Sequence, residues 1–404
     1  MNIEFRNAIL TVGQALEQGG IPYQFTGAAA LFMQGVAIKK LNRVEVSIQW
    51  DLFQDAFALF SAYSPSEPEK SEERASFCFE AEGIHITVSC LFNTTIKTDP
   101  YRISVQLEDG ELWCQSLYIF LYGEVMAAYR TEIHDHLLHK QSEFKEQNER
   151  AWNQNNYQAL INRYGKPEEI SDKIKQNPKW RLQPFYKYLG DLPGKKVVHL
   201  MGSNGVKGTA LALLGAEVKI VDFSQENAAF ATELADAAGV SFEYVVSDVL
   251  SLPKEHLNGE ADIVLMELGV LHYLIDLHPL MEIIKQLLKP GGIFVLHEFH
   301  PISTKLITST GKKHKVTGNY FDPAIESNTV AFSKHMSGED QQKLANVVQR
   351  KWTLGELVTS VGQSGLMIKV LEEEPNHKMH DIGLPKTYTL VAEKPSIYGM
   401  SDGC

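Results

Sequence analysis

The spacing of apolar and polar positions divides the chain into two stretches of different rhythm. In residues 3–20, Ile3, Ile9, Leu10, Val12 and Leu16 recur at roughly helical spacing and stop at Gly19 and Gly20, which predicts a helix followed by a turn. YQFTGAAALFMQGV (23–36) reads as a short strand entering a small-residue helix, and RVEVSIQ (43–49) alternates as a strand does. IHITVSCLF (84–92) offers a further strand, while SPSEPEKSEER (64–74) has the Pro, Ser and charge content of an exposed loop. From Leu121 to about Trp152 the pattern becomes long, helical and polar around EIHDHLLHKQSEFKEQNERAW. This stretch reads as a connector.

The second rhythm begins after it. Residues 153–195 predict two or three short helices punctuated by Gly165, Pro167 and Pro178. VVHLMGSNGVKG then runs into ALALLG, a strand, a glycine-bearing turn and a helix, and AEVKIVD closes on Asp222. AEVKIVD, FEYVVSD, ADIVLME and GGIFVLHEF alternate with helices, the β-α-β order of a parallel sheet. The tail adds a helix at WTLGELVTSVGQSGL and strands at MIKVLEEE and TYTLVAEK. Between the fifth strand and this tail, residues 305–342 form a long polar insertion with basic positions Lys312, Lys313, His314 and Lys315. Long loops at this edge often act as lids, so the insertion is expected to shape the acceptor pocket, a solvated loop without contact being the other reading.

Composition narrows the classes. A chain of 404 residues implies about two or three domains. With 44% apolar and 22% charged residues it has the balance of a soluble globular protein. The net charge of -12 argues against nucleic acid as a partner. Cys78, Cys90, Cys114 and Cys404 lie far apart with no CxxC pair, so neither zinc nor a disulfide framework is expected. The opening MNIEFRNAIL has no long apolar core, and no run reaches the ~18 apolar residues of a membrane span. A cytoplasmic location without membrane partners is the expectation. His134, His136 and His139 lack acid or cysteine partners at ligand spacing and read as a polar helix face.

The chemistry concentrates after Val197. Gly202 and Gly205 allow a tight turn that brings bare backbone against a ligand, and Asp222 can accept hydrogen bonds from both hydroxyls of a ribose. Asp248, ending the third strand, can take a hydrogen bond from an adenine amine, with Phe223 and Val249 offering apolar faces to the ring. In order and spacing, the glycine loop, these two acids, ADIVLMELGVLHYL and LLKPGGIFVL resemble a class I S-adenosylmethionine-dependent methyltransferase over about residues 155–395. The resemblance implies an α/β fold with a Rossmann-like, seven-stranded, doubly wound sheet and S-adenosyl-L-methionine as cofactor. It implies that Met201, Gly202, Ser203, Gly205, Asp222, Phe223, Asp248, Val249 and Glu267 hold that cofactor. The chain departs from the family at its loop. Where the family has three alternating glycines after an acid, this chain carries Met201, Ser203 and Gly205, with His199 at the acid's place. The methionine portion is therefore expected to be held differently.

Methyl transfer from a sulfonium is an in-line displacement, so alignment matters most and a base is needed only when the acceptor must lose a proton early. Glu267, His272 and Tyr273 should project beyond the fourth strand, and Glu298 and His300 beyond the fifth. His272 or His300 suits a general base, with Glu298 beside them, although a histidine at a strand end can also just cap a helix or satisfy a loop. Of His297, Glu298 and His300 only two face the same way, and the spacing lacks a further ligand, so no metal site is expected there.

Residues 1–125 resemble a degenerate nucleotidyltransferase-like α+β domain. In that family, carboxylates on neighbouring strands hold metal ions against a nucleotide triphosphate. Here those positions carry Glu45, Ser47 and Thr87 or Ser89, so no catalysis is expected. An unrelated α+β module fits the same pattern. The expected organisation is thus an α+β domain (1–125), a helical connector (126–154), a methyltransferase domain (155–395) and a tail (396–404), acting on a small-molecule acceptor. Two other readings stay open: an RNA methyltransferase that grips its substrate with the N-terminal module, and a non-catalytic regulator that senses the cofactor.

Overall fold

The computed structural model describes residues 3–107, 110–122, 127–310, 313–376 and 383–396. Lys312, Cys404, the expected boundary near residue 125 and the tail from residue 397 lie outside them. The chain divides into one unit of residues 1–139 with 321–323 and another of residues 140–320 with 324–404. The division falls inside the polar helix Arg130–Trp152.

In the first unit, helix Ile3–Gln18 buries Phe5, Ala8, Ile9, Val12 and Leu16 along one face. Its seven strands are β1 (Tyr23–Thr26), β2 (Arg43–Ile48), β3 (Glu69–Lys70), β4 (Arg74–Ala81), β5 (Ile84–Leu91), β6 (Arg102–Leu107) and β7 (Gly110–Gln115). They form one mixed sheet in the order β3-β4-β5-β2-β1-β7-β6. Along β5, Ile84, Ile86, Val88 and Cys90 are buried while the residues between them are partly exposed, the alternation of a strand with one covered face. Parallel pairing of β2 with β5 sets Glu45 beside Thr87 and Ser47 beside Ser89. The four positions expected to carry a metal-binding acid set therefore share the less buried face, with Glu45 their single carboxylate.

The second unit is built on β8 (Lys196–Leu200), β9 (Glu217–Asp222), β10 (Glu243–Val246), β11 (Ala261–Glu267) and β12 (Leu288–Phe299). The insertion after β12 contributes two hairpins, β13 (Ile307–Thr310) with β14 (Lys313–Val316), and β15 (Ile325–Thr329) with β16 (Asn346–Arg350). Strands β17 (Met367–Pro375) and β18 (Pro385–Glu393) complete a seven-stranded sheet ordered β10-β9-β8-β11-β12-β18-β17. The first five are parallel, and β18 runs antiparallel to both of its neighbours. Ile263, Val264, Leu265 and Met266 on β11 are all fully buried, as expected of a central strand covered on both faces. The strand order reverses between β8 and β11, which opens a crevice beyond their carboxyl ends.

The polar helix, expected as a connector, carries side chains with buried partners. Gln141 donates to Tyr273 O at 2.9 Å and accepts from Ile275 N at 2.8 Å. Asn148 donates to Val348 O at 3.1 Å and accepts from Val348 N at 2.7 Å, so its amide pairs with β16 as a neighbouring strand would. Both side chains are buried. Polar side chains of this helix are thus spent on backbone groups that burial would otherwise leave unpaired.

A buried ion pair anchors the end of β16. Arg350 Nη2 lies 2.6 Å from Glu356 Oε1, and the guanidinium sits 3.9 Å from the centre of the Trp352 ring. Glu356 Oε2 also accepts from Thr353 N at 2.9 Å, closing a capping box on helix Leu354–Gln363. Burial pushes the Glu356 carboxyl up, but Arg350 and Thr353 outweigh it and hold it below its ordinary value. Glu356→Ala strands the buried guanidinium without this carboxylate and is expected to cost about 3–5 kcal/mol, measured as a lower urea midpoint. A loss under about 1 kcal/mol, the scale of a surface pair, would show that the pair is not structural.

Candidate active site

Beyond β8 and β11 lies a cavity of about 770 Å³ within the second unit. The turn after β8 forms part of its lining through Met201, Gly202, Ser203 and Asn204. Met201 and Ser203 are left-handed, at φ +51° and +50°, a conformation that costs a non-glycine residue about 1–3 kcal/mol. The surrounding bonds offset that cost: Ser203 N donates to Asp222 Oδ2 at 3.0 Å, and Tyr244 Oη donates to Ser203 O at 2.7 Å. The loop therefore keeps a glycine-like path although two glycines are gone. At Gly202, a Cβ would stand 2.8 Å from His199 Nδ1 and from Ile220 Cγ2, so backbone alone fits between the strand and the cavity.

Asp222 is buried at the end of β9 and lines the cavity. Its Oδ1 accepts from Ser224 N at 2.9 Å and from Asn227 Nδ2 at 3.3 Å. Burial pushes its carboxyl up and these donors, with Ser203 N, pull it back down. With three donors in place, one lone-pair position is left for a ligand hydroxyl. Phe223 and Glu267 also line the cavity. Gly205, Asp248 and Val249 do not belong to that lining. A Cβ on Gly205 would stand 2.6 Å from Ala231 Cβ, so that glycine serves the close approach of helix Gln225–Ala238 rather than contact with a ligand. Asp248 is half-buried beyond β10, with Oδ2 accepting from Ser251 Oγ at 3.0 Å, and Val249 is buried beside it.

Of the three groups expected to act in catalysis, one faces the cavity. His272 lines it, and burial, with Lys351 and Lys305 nearby, pushes its imidazole down to about 4. It is therefore neutral near pH 7. Glu298 lies elsewhere: it is buried and accepts from the N–H groups of Gly269, Val270, Leu271 and Phe299. It fixes the turn after β11 instead of meeting an acceptor. Burial pushes its carboxyl up to about 7 against the pull of those donors. His300 is likewise committed, with Nε2 2.7 Å from Glu373 Oε1 and Nδ1 accepting from Ile302 N at 3.1 Å. Both ring nitrogens are engaged by neighbours, and His300 does not belong to the cavity lining.

The sequence motifs passed over several lining groups. Lys207, in the first turn of helix Val206–Leu213, sits 3.1 Å from Glu267 Oε2, an ion pair without hydrogen-bond alignment. His199 is fully buried beneath the loop with neither ring nitrogen hydrogen-bonded, and burial pushes it down to about 4. At that value its 3.9 Å approach to Glu267 Oε1 is not an ion pair near neutrality. Trp152, Asn156, Arg163 and Arg181 come from the helices before the sheet, and Phe332, Lys334 and His335 from the insertion. Helices ahead of such a sheet commonly roof its crevice and the insertion was expected at the pocket, but which of their side chains line it was hidden by distance along the chain.

The lining fits S-adenosylmethionine: a bare-backbone turn at Gly202, a buried acid at the end of β9 and an aromatic ring after it. Residues 201–296 match the family described as a methyltransferase domain. Solved structures of similar fold include a protein of Listeria monocytogenes provisionally named an S-adenosylmethionine dependent methyltransferase, at 20% identity over 54% of this chain and 99% of that one, with a TM-score of 0.44. An S-adenosylmethionine dependent methyltransferase from Mesorhizobium loti is 20% identical over 54% of this chain and 97% of that one, with a TM-score of 0.42. No curated protein matches the sequence. The second unit carries a methyltransferase domain, the protein is an enzyme of that class, and S-adenosylmethionine is its cofactor.

One pH effect follows from the packing behind the site. His297 is buried on β12 with Nδ1 3.0 Å from Thr389 Oγ1, and burial pushes it down to about 4. Below its ordinary value of 6.5 the unfolded chain gains a proton that the folded chain resists, so this residue's contribution is full above pH 6.5 and is lost as pH falls towards 4. Between pH 7 and pH 5 the wild type should lose about 2 kcal/mol relative to His297→Gln, read from paired urea titrations. A difference independent of pH would overturn the assignment.

Proposed function

We propose that this methyltransferase transfers a methyl group to a small-molecule acceptor bound in the cavity of its second unit. The observation that carries the reading is the cavity itself. Its volume lies in the range of small-ligand pockets, and Phe332, Lys334 and His335 of the insertion line it together with the loop that follows β8. When bound, S-adenosylmethionine supplies an electrophilic methyl group on a positively charged sulfur. The work left to the protein is alignment, exclusion of water and, for some acceptors, removal of a proton.

In this reading Met201, Gly202, Ser203, Asp222, Phe223 and Glu267 hold the cofactor, while Asp248 and Val249 fix the turn beyond β10. Neutral His272 takes the acceptor's proton at a ring nitrogen. Its depressed basicity suits an acceptor whose own proton is acidic, or one that brings negative charge close enough to raise it. The strand–helix–strand order of β1, helix Gly27–Met33 and β2 supports reading the first unit as a degenerate nucleotidyltransferase-like module with the acid set replaced. Among the described residues no helix is long and apolar enough to cross a membrane, and we take the enzyme to act in the cytoplasm.

Calorimetry with S-adenosylmethionine should show saturable binding, and Asp222→Asn should weaken it by about 1.5–3 kcal/mol; an unchanged affinity would remove Asp222 from the cofactor site. With methyl-labelled cofactor and a panel of small metabolites, His272→Gln should cut turnover by about 10²–10⁴-fold while leaving cofactor affinity within about twofold. Binding without label transfer to any member of the panel would favour a cofactor sensor over an enzyme acting on small molecules.

A further inference from the structure

The charges lining the cavity do not balance. Asp222 and Glu267 are the acidic residues of the lining, and both are engaged, one by N–H donors and the other by Lys207. Arg163 and Lys334 line the same cavity, and among the described residues neither has a carboxylate within ion-pair distance. They are held together: Asn162 Nδ2, next to Arg163, donates to His335 O at 2.9 Å, joining the end of helix Asn156–Tyr164 to the turn Ser333–His335. The His335 imidazole senses both cations. It lies below its ordinary value through burial first and then through Arg163 and Lys334. Its Nε2 is buried without a hydrogen-bond partner.

We propose that Arg163, Lys334 and His335 form an anion subsite that holds a carboxylate or phosphate group on the methyl acceptor. The proposal rests on the methyl-transfer reading of the cavity. Two cations close enough to act on the same imidazole, with no acid beside them, repel each other, and an anion bound near both relieves that repulsion while adding charge-assisted hydrogen bonds. A guanidinium offers a planar fork for either group, and the His335 nitrogen supplies a further polar contact. Trp180 and Phe332 on the same lining offer flat apolar surface to the acceptor's body.

The cofactor carries a carboxylate of its own, so the anion has two sources. The acceptor is favoured by the origin of the residues. Lys334 and His335 belong to the insertion, outside residues 201–296 that match the methyltransferase domain. Lys207, two residues after Gly205, is the cation that the loop itself brings to the cavity.

The test uses the full-length protein saturated with S-adenosylhomocysteine and titrated with benzoate and with inorganic phosphate in a calorimeter. At least one probe should bind in the millimolar range, more weakly as salt is raised. Arg163→Gln/Lys334→Gln should weaken that binding by about tenfold or more while S-adenosylhomocysteine affinity stays within about twofold. A matching tenfold loss of S-adenosylhomocysteine affinity would assign the cations to the cofactor's carboxylate and overturn the proposal. So would the absence of binding by either probe, or binding that the double variant retains. Failure of the wild type to bind S-adenosylhomocysteine at all is a separate result, which would remove the methyl-transfer reading itself.

Discussion

The second unit depends on burying one carboxylate. Asp222 gathers Ser203 N, Ser224 N and Asn227 Nδ2 on its two oxygens, and each donor belongs to a different piece of the site: the turn after β8, the link to helix Gln225–Ala238, and that helix itself. The network extends outward. Asn227 Oδ1 accepts from Asn156 Nδ2 at 2.8 Å, and Ser224 Oγ reaches Trp152 O at 3.2 Å. Glu226 accepts from Asn155 N and Tyr157 N at 3.1 and 2.6 Å. The helices before the sheet are thereby tied to the same hub. In a low-dielectric setting such a network is worth keeping only when its members are satisfied, which is why loss of the central acid should be felt beyond the ligand.

A second set of side-chain amides holds the insertion. Gln147 Nε2 donates to Asn346 O at 2.9 Å, Gln154 Oε1 accepts from Ala345 N at 2.7 Å, and Asn148 pairs with Val348 in both directions. A hairpin edge carries unpaired backbone groups that invite other partners; here a helix covers part of that edge with amides. Trp152, Tyr273 and Phe332 pack edge-on beside it, with ring centres 6.0 and 5.6 Å from that of Trp152. The wall of the cavity is thus braced by helix and insertion together, although nearly two hundred residues separate Asn148 from Val348.

Much of the sheet was legible because its signals are local. Strand β8, the turn, helix Val206–Leu213 and β9 follow one another within 27 residues, from Lys196 to Asp222, and apolar runs closing on acids need no distant partner to be read. The tail strands at Met367 and Pro385 were legible for the same reason. What stayed hidden was set by distance. Glu298 and His300 sit at the strand end where sequence places catalytic groups, yet both are used up by neighbours, four backbone N–H groups in one case and Glu373 with Ile302 in the other. The polar helix read only as a connector because hydropathy does not distinguish an amide facing water from one facing a backbone carbonyl. Arg163 and His335 meet through Asn162, a pairing across 173 positions that no local pattern encodes.

The left-handed turn at Met201 and Ser203 bears on how such sites diverge. Glycine is the usual way to reach that backbone shape, but here the shape is enforced from outside by Asp222 and the Tyr244 hydroxyl. The requirement has moved from the loop's own residues to the partners that grip it. A pattern that demands glycine at both positions would pass over other chains with this cradle, whereas one that asks for the acid closing β9 and a phenol on β10 would find them. Once that grip exists, side chains at 201 and 203 are open to variation, and with them the surface presented to a ligand.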